Sequence, residues 1–210
     1  MGRASQFWAD NHDLAEACRA HPFVQGIASG DLARDSFVFY VEQDAFFLAS
    51  FARAYALAFA KAPDLAAMRE IRDLLDGVFE ELELHEHYAE EWGARLDPEP
   101  SAATLAYTDF LQRVAWSAPV AHTMAAMTPC MRLYAYLGQQ LEPAASPDSP
   151  YHEWVDTYAN PQFEALAARM EAVLDAHDDG SDDLARHYRT AMAREFDFFD
   201  QALRLPYGQV

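Results

Sequence analysis

Helical periodicity runs through almost the whole of this 210-residue chain and constrains its fold more than any other feature. Apolar residues recur at three- and four-residue steps, which is the spacing of one face of an α-helix. We find no convincing alternation of apolar and polar residues, the pattern typical of a half-buried strand. The sequence therefore predicts an all-α fold, a bundle of roughly eight helices around a shared core.

Prolines and capping residues divide this pattern into segments. Pro22 and Pro119 suit the first turn of a helix, and Asp64 can cap another helix. Residues 143–150 form the clearest break, but so short a stretch indicates a loop and not an interdomain linker. We therefore expect one domain over residues 1–210, with short helices between the last loop and a turn at 178–181. The longer predicted helices cover about 4–20, 22–29, 33–61, 64–95, 102–117, 119–142 and 182–203.

The chain is strongly acidic, with 34 Asp and Glu residues against 15 Lys and Arg and a formal charge of −19. Negative charge disfavours a nucleic-acid backbone or an anionic membrane surface as partner. No apolar run approaches the roughly 18–20 residues that span a bilayer, and the first residues lack the apolar region of a signal peptide. Two distant cysteines do not form a disulfide framework, so we expect a cytoplasmic protein with reduced thiols.

Two carboxylates stand on apolar helical faces. Asp44 lies four residues after Tyr40 and seven before Phe51, and Glu195 lies four residues before Phe199. A Glu in apolar surroundings has a raised pKa and can act as a general acid near neutral pH. Two alternatives remain open: Asp44 could cap a loop or pair with an arginine, and Glu195 could reach solvent at the edge of its face.

Cys130 is the third unusual residue. It lies three residues after Met127 and four before Tyr134 within a strongly helical stretch. A thiol there can be a nucleophile or simply a small core residue. With Asp44 and Glu195 it indicates a buried polar pocket, whereas Cys18 has no such company and is interpreted as structural.

Histidines give a weaker signal for a metal site. Glu81, His85 and His87 lie close together in one helical segment, and Asp183 precedes His187 by four residues in another. A di-iron bundle usually needs a Glu-x-x-His pattern or several converging carboxylates, and only fragments are present. We therefore expect no bound metal.

Several motifs occur in a characteristic order along the chain. They are His21-Pro22-Phe23-Val24-Gln25-Gly26-Ile27, Gly30-x-Leu32, Tyr40-Val41-x-Gln43-Asp44-x-x-x-Leu48, Tyr107-Thr108, Pro129-Cys130-x-x-x-Tyr134, Tyr151-x-x-Trp154-Val155-x-x-Tyr158 with Phe163, and Glu195-x-x-Phe198-Phe199-x-x-Ala202. Through this ordered set, the chain from about residue 21 to 203 resembles the TenA family, also called thiaminase II or aminopyrimidine aminohydrolase. The cysteine places it with the cysteine-containing branch.

The resemblance implies a haem-oxygenase-like helical bundle that assembles as a homo-oligomer, commonly a tetramer, with a dimer as the other possibility. It implies hydrolysis at the methylene carbon of a 4-amino-2-methylpyrimidine during thiamin salvage. The substrate would be the 5-aminomethyl pyrimidine, which becomes the hydroxymethyl form, or thiamin itself. No metal, haem or other cofactor is implied.

Site roles follow from the same resemblance. It implies that Cys130 is the nucleophile that adds to ring C6, that Glu195 protonates a ring nitrogen, and that Asp44 binds the aminopyrimidine edge. The positions expected near the substrate are Tyr107, Tyr134, Tyr158 and Phe47.

Three positions depart from the family pattern. Phe47 stands where the family often has a tyrosine thought to support the thiol, and Arg132 and Arg194 stand where aromatic residues are frequent. A guanidinium in the pocket would lower the pKa of the thiol or favour an anionic leaving portion. The alternative is that both arginines point outward.

Two other functions remain open at this point. One is an oxidase on the same fold, either metal-dependent or cofactor-free. The other is a non-catalytic ligand-binding or regulatory protein, for which the acidic charge makes direct DNA binding unfavourable.

Overall fold

The computed structural model describes residues 2–204, apart from the side chains of Leu84, His85 and Tyr88. Within this part the chain forms helices and no strand, so the prediction of an all-α bundle is confirmed. None of the described helices is both long enough and apolar enough to cross a membrane. The helices are α1 (Arg3–Asp10), α2 (His12–Arg19), α3 (Pro22–Ser29), α4 (Arg34–Ala60), α5 (Leu65–Trp92), α6 (Ala102–Ser117), α7 (Val120–Leu141), α8 (His152–Ala159), α9 (Pro161–Ala176) and α10 (Asp182–Leu203), with a 3₁₀ turn at Glu142–Ala144.

The predicted number of helices was too small at the N-terminus. The segment predicted as one helix over 4–20 is two helices, α1 and α2, which meet at Asn11. Asn11 leaves the helical conformation at φ −115° and ψ 15°, and its buried amide donates to the carbonyl of Phe7 at 2.8 Å. Asparagine side chains compete with the helical backbone for hydrogen bonds in this way, which explains the break.

Other boundaries lie close to the predicted ones. Asp64 caps α5 by accepting a hydrogen bond from the amide of Ala67 at 2.8 Å, as its position indicated. The same helix ends at Trp92, three residues before the predicted end, because Gly93 adopts the left-handed conformation with φ +71°. The short helices predicted after the loop are α8 and α9, and the side chain of Asn160 caps α9.

Helix α7 lies at the centre of the bundle. It contacts α4, α6, α8, α9 and α10, and most of its residues are buried. A helix that is apolar on nearly every side can only be accommodated inside a protein. Pro129 lies within α7 and has no amide hydrogen to give to the preceding turn, so Cys130 follows a local interruption of helical hydrogen bonding.

Gly138 lets α8 approach α7 very closely. A Cβ at this position would overlap the backbone of Tyr158 and Ala159. Because Gly138 has no side chain, the backbone at Tyr158 can lie directly against the C-terminal half of α7.

We predict opposite effects of two Gly→Ala substitutions. Gly138→Ala should lower the free energy of unfolding by about 1–3 kcal/mol, because the new methyl group overlaps the backbone of α8. Gly77→Ala is the control: its nearest neighbour would be the side chain of Leu166 at 3.8 Å, and alanine favours a helix interior by about 0.5–1 kcal/mol. Urea denaturation of both variants and the wild type tests this. Equal stability changes would contradict it.

Candidate active site

A small cavity lies where α4, α5, α7, α8 and α9 meet. It has about 10 Å³ of free space, roughly enough for one water molecule. Asp44, Cys130, Tyr134 and Tyr158, all predicted site residues, lie on its wall together. The remaining lining residues are Leu48, Phe51, Glu81, Met131 and Phe163.

Glu195 lies behind the thiol on α10. Only 2% of its surface is accessible, and the hydroxyl of Tyr107 donates a hydrogen bond to its Oε1 at 2.5 Å. The Glu195 carboxyl and the Cys130 thiol interact, since each shifts the pKa of the other. Asp44 also acts electrostatically on both groups. The structure thus brings together the thiol and the two carboxylates that the apolar faces indicated.

Burial controls the protonation of Glu195. It raises the pKa of this carboxyl to about 8, and the negative charge of Asp44 adds to the rise, while the hydrogen bond from Tyr107 opposes it. At neutral pH the carboxyl therefore holds its proton for most of the time, as a general acid must.

The Cys130 thiol is also kept neutral. Cys130 is partly exposed, yet the dense protein around it raises the pKa of the thiol well above its usual range. Glu195 raises it further whenever its carboxyl is ionised, and so do the negative charges of Glu81 and Asp44. The thiol rests in its neutral form, so it must lose its proton during the reaction in order to act as a nucleophile.

Aromatic side chains form the rest of the wall. The indole of Trp154 donates to the Tyr40 hydroxyl at 3.3 Å, and that hydroxyl donates to Tyr134 at 3.1 Å. Tyr158 packs edge-on against Tyr134 and donates to Oε1 of Glu81 at 3.1 Å. These contacts fix Tyr134 and Tyr158, two of the three tyrosines that were predicted near the substrate.

Phe47, like Tyr107 and Glu195, is a predicted site residue that does not line this cavity. Its ring packs against Tyr107 at 4.8 Å between centroids and against Phe51 and Phe198. In this geometry Phe47 supports Tyr107 from behind. The hydroxyl that interacts with the acid comes from Tyr107 on α6, and Phe47 on α4 contributes none.

Both arginines point away from the cavity, which confirms the outward alternative. Arg132 donates to Glu164 and Glu171 at 2.7–2.8 Å and so joins α7 to α9. Arg194 pairs with Asp197 at 3.0 Å on the surface of α10. Neither guanidinium appears among the groups that shift the pKa of Cys130, so the hypothesis of a thiol activated by arginine is wrong.

Glu81 was missed as a site residue. In the sequence Glu81 stood out only as a fragment of a metal pattern, but it lines the cavity and accepts a hydrogen bond from Tyr158. The signal was present: Glu81 follows buried Leu74 and Val78 at helical steps, as Asp44 and Glu195 follow their own apolar neighbours.

The histidine fragments do not assemble with it into a metal site. His87 is exposed, and the side chain of His85 lies outside the described residues. His187 is on α10, where its ring contacts that of His122. Within residues 2–204, as far as side chains are described, no three His, Cys, Asp or Glu groups lie close enough to hold a metal ion.

Cys18 is fully buried near the end of α2, in agreement with the structural interpretation. Burial and the nearby charge of Glu195 both raise the pKa of its thiol. Nothing in the sequence pattern indicated that this second thiol lies near Glu195.

Comparisons with known proteins agree with this geometry. Residues 8–205 match the sequence model of the TENA/THI-4/PQQC family. The aminopyrimidine aminohydrolase of Halalkalibacterium halodurans is 33% identical over 214 aligned positions, which cover 96% of each chain. The mitochondrial bifunctional TH2 protein of Arabidopsis thaliana is 35% identical over 85% of this chain, which spans only 33% of that longer protein.

A solved structure shows the same fold. The TenA homologue from P. horikoshii OT3 superposes with a TM-score of 0.90 at 27% identity, and the match covers 97% of this chain and 99% of that one. The predicted haem-oxygenase-like helical bundle is thereby confirmed.

We predict that Glu195 makes stability depend on pH. Its pKa rises from about 4.5 in the unfolded chain to about 8, so the folded protein holds a proton that the unfolded chain has released. The free energy of unfolding of the wild type should therefore fall relative to Glu195→Gln as pH rises from about 4.5 to 8, by up to about 1.4 kcal/mol per pH unit. Urea denaturation of both proteins across this range measures the difference.

The control is Glu83→Gln, which removes an exposed carboxyl from α5. This variant should follow the wild type at each pH. A wild-type-minus-Glu195→Gln difference that stays constant with pH would show that Glu195 does not hold its proton in the folded protein.

Proposed function

The chain belongs to the TENA/THI-4/PQQC family, whose model it matches over residues 8–205, and from this premise we propose that it hydrolyses thiamin-related 4-amino-2-methylpyrimidines. The observation that carries the proposal is a cavity wall that holds a neutral thiol and the carboxylate of Asp44, with the carboxyl of Glu195, whose pKa is raised, in contact with the thiol. The relative named aminopyrimidine aminohydrolase, which aligns over 96% of this chain, supports the reaction class.

Asp44 would orient the substrate. Its carboxylate lies on the cavity wall and accepts hydrogen bonds, which suits the exocyclic amino group of an aminopyrimidine. Aromatic rings of Phe51, Tyr134 and Tyr158 on the same wall provide flat apolar surfaces for a heteroaromatic ring. A substituted pyrimidine is much larger than one water molecule, so side chains must move apart when it enters.

Glu195 would activate both reactants. It protonates a ring nitrogen, which makes C6 electrophilic, and the resulting carboxylate takes the proton of Cys130. The sulfur then forms a bond to C6, and the π electrons of the ring move onto the protonated nitrogen. This sequence overcomes the raised pKa of the thiol, because Glu195 becomes a base only after the substrate has accepted its proton.

The adduct would then expel the leaving group. Electrons from the ring nitrogen return through the ring and break the bond between the exocyclic methylene and its substituent, so that a protonated amine departs as ammonia and a thiazolium group departs as the neutral thiazole. Water adds to the methylene carbon, and loss of the cysteine sulfur restores the aromatic ring and the thiol. The products are the hydroxymethyl pyrimidine and the released amine or thiazole.

We propose that residues 1–210 form one domain and that the protein acts in the cytoplasm without a metal or cofactor. The partners would be a small-molecule pyrimidine and further copies of this chain in a tetramer or dimer. Light scattering on the purified protein measures the assembly, and incubation with the 5-aminomethyl pyrimidine and with thiamin tests for the hydroxymethyl product.

We predict that Cys130→Ser abolishes turnover. Serine is close to cysteine in size, so packing should change little, but its hydroxyl is a far weaker nucleophile near neutral pH. The value of kcat for the aminomethyl pyrimidine should fall by at least about a thousandfold, while binding measured by calorimetry persists. Cys18→Ala, at the other thiol, is the control and should keep most of its activity. If Cys130→Ser retains the wild-type kcat, Cys130 is only a core residue.

We predict different kinetic losses at the two carboxylates. Glu195→Gln should lose most of kcat, because an amide cannot deliver a proton to the ring. Asp44→Asn should chiefly weaken binding, by about 10–100-fold, because it disturbs the hydrogen bonds to the aminopyrimidine edge. Steady-state kinetics and calorimetric affinities for the two variants separate these effects. The assignment is wrong if Asp44→Asn binds as tightly as the wild type.

A further inference from the structure

A buried polar network lies where the N-terminus of α6 meets α4 and α10. The side-chain oxygen of Gln43 on α4 accepts hydrogen bonds from the amide of Ser101 at 2.9 Å and from the hydroxyl of Thr104 at 2.7 Å. The side-chain amide of Gln43 donates to the carbonyl of Glu99 at 3.2 Å. Gln43 is only 1% exposed and Thr104 is fully buried, so these bonds satisfy polar groups that would otherwise be costly to bury.

Gln201 extends the network to α10. Its side-chain amide donates to the hydroxyl of Thr104 at 3.2 Å, and its side-chain oxygen accepts a hydrogen bond from the hydroxyl of Ser101. Ser101 also caps α6, since its hydroxyl oxygen accepts from the amide of Thr104 at 3.1 Å. One set of hydrogen bonds therefore joins α4, the first turn of α6 and the last turn of α10.

Each of the three helices that the network joins also carries an ionisable group of the candidate site. Along every helix, the network residue and the site residue lie within two helical turns of each other. The pairs are Gln43 with Asp44 on α4, Thr104 with Tyr107 on α6, and Gln201 with Glu195 on α10.

The hydrogen bond from Tyr107 to Glu195 depends on how α6 and α10 are placed. It joins the two helices, and its length of 2.5 Å leaves little room for movement between them. Phe47 packs against the ring of Tyr107, but apolar packing is not directional, whereas hydrogen bonds constrain both distance and angle. The bond from Gln201 to Thr104 joins the same two helices one turn away along α6.

We propose that Gln43, Thr104 and Gln201 are positioning residues that hold the hydroxyl of Tyr107 against the carboxyl of Glu195. The inference rests on the proposed function and adds to it a set of residues that lie outside the cavity and act on the acid through Tyr107. Without the network, Tyr107 would move away from Glu195, and the carboxyl would lose a hydrogen bond that stabilises its ionised form.

Thr104→Val tests this, because valine has nearly the shape of threonine and lacks the hydroxyl. The substitution removes both the bond to Gln43 and the bond from Gln201. Thr104→Ser keeps the hydroxyl and should behave as the wild type. Thr108→Val is the matched control, because Thr108 is also buried on α6 but its hydroxyl donates to the backbone carbonyl of Thr104 within the same helix, at 3.0 Å.

The direct measurement is the titration of the Glu195 carboxyl by ¹³C NMR of protein with labelled glutamate, in which Glu195→Gln assigns the signal. The hydrogen bond from Tyr107 lowers the pKa of Glu195, so Tyr107→Phe should raise the titration midpoint by about one pH unit. Thr104→Val should raise it by at least about half a pH unit, whereas Thr104→Ser and Thr108→Val should leave it unchanged. In the Tyr107→Phe background, Thr104→Val should cause no further change, because the bond through which it acts is already absent.

A shift of this midpoint reports on position and not on a lost charge. The ionisable groups that interact with Glu195 in the described part of the chain all remain in Thr104→Val and Thr108→Val. They are Tyr107 on α6, Asp44 on α4, Cys130 and Tyr134 on α7, and Cys18 on α2.

Kinetics provide a second readout. Thr104→Val should lower kcat for the aminomethyl pyrimidine by about fivefold to tenfold, because the acid is less well placed, and leave KM within about twofold. The expected split follows from the geometry, since the network does not line the cavity. A purely structural role would instead lower kcat by the same factor in the wild type and in the Tyr107→Phe background.

An unchanged Glu195 titration in Thr104→Val would overturn the proposal, and so would an equal shift in Thr108→Val or a shift that persists in the Tyr107→Phe background. Gln201→Met, at the half-buried end of the network, provides the same test should Thr104→Val fail to fold. The titration needs no turnover. If the wild type converts neither the aminomethyl pyrimidine nor thiamin, the proposed function fails, while the titration still decides whether the network positions Tyr107.

Discussion

Burial of the Glu195 carboxyl among aromatic side chains is the constraint on which the rest of the site depends. An ionised carboxylate in that position would carry a large desolvation penalty, so the group stays protonated and takes one strong hydrogen bond from Tyr107. Tyr107 is itself fully buried and supported by Phe47, which ties the state of the acid to the packing of α4 and α6. The neutral thiol of Cys130 follows from the same environment. One apolar environment thus keeps both the carboxyl and the thiol protonated.

Much of this arrangement could be predicted from the sequence, because a polar residue in an apolar helical face is visible without a structure. Asp44, Cys130 and Glu195 were predicted in that way. Glu81 has the same pattern of apolar neighbours, but the nearby histidines indicated a metal site there instead. The sequence did not show which side chains of neighbouring helices a given residue would pack against. Phe47 lies behind Tyr107, and the close approach of α8 to α7 at Gly138 depends on contacts between segments far apart in sequence. The break at Asn11 was missed because one side-chain hydrogen bond outweighed a continuous helical pattern.

The charged side chains on and around α7 have two different roles. Arg132 faces away from the cavity and joins α7 to α9, whereas Asp44, Glu81 and Glu195 face the thiol without a basic side chain among the described residues of the cavity wall. In the proposed mechanism, such a site keeps the thiol neutral until a substrate brings a basic ring nitrogen. The chain is acidic overall, and acidic side chains also surround the buried thiol, where their charge affects its reactivity.

Seven helices contribute to the site: Asp44 lies on α4, Glu81 on α5, Tyr107 on α6, Cys130 on α7, Tyr158 on α8, Phe163 on α9 and Glu195 on α10. A continuous segment that contains Cys130, Asp44 and Glu195 spans most of the bundle. Assembly of the site and global folding are consequently one cooperative event. A molecule that binds in the cavity therefore stabilises the whole bundle. At a concentration one hundred times its Kd it raises the free energy of unfolding by about 2.7 kcal/mol, and the melting temperature of the protein rises with it.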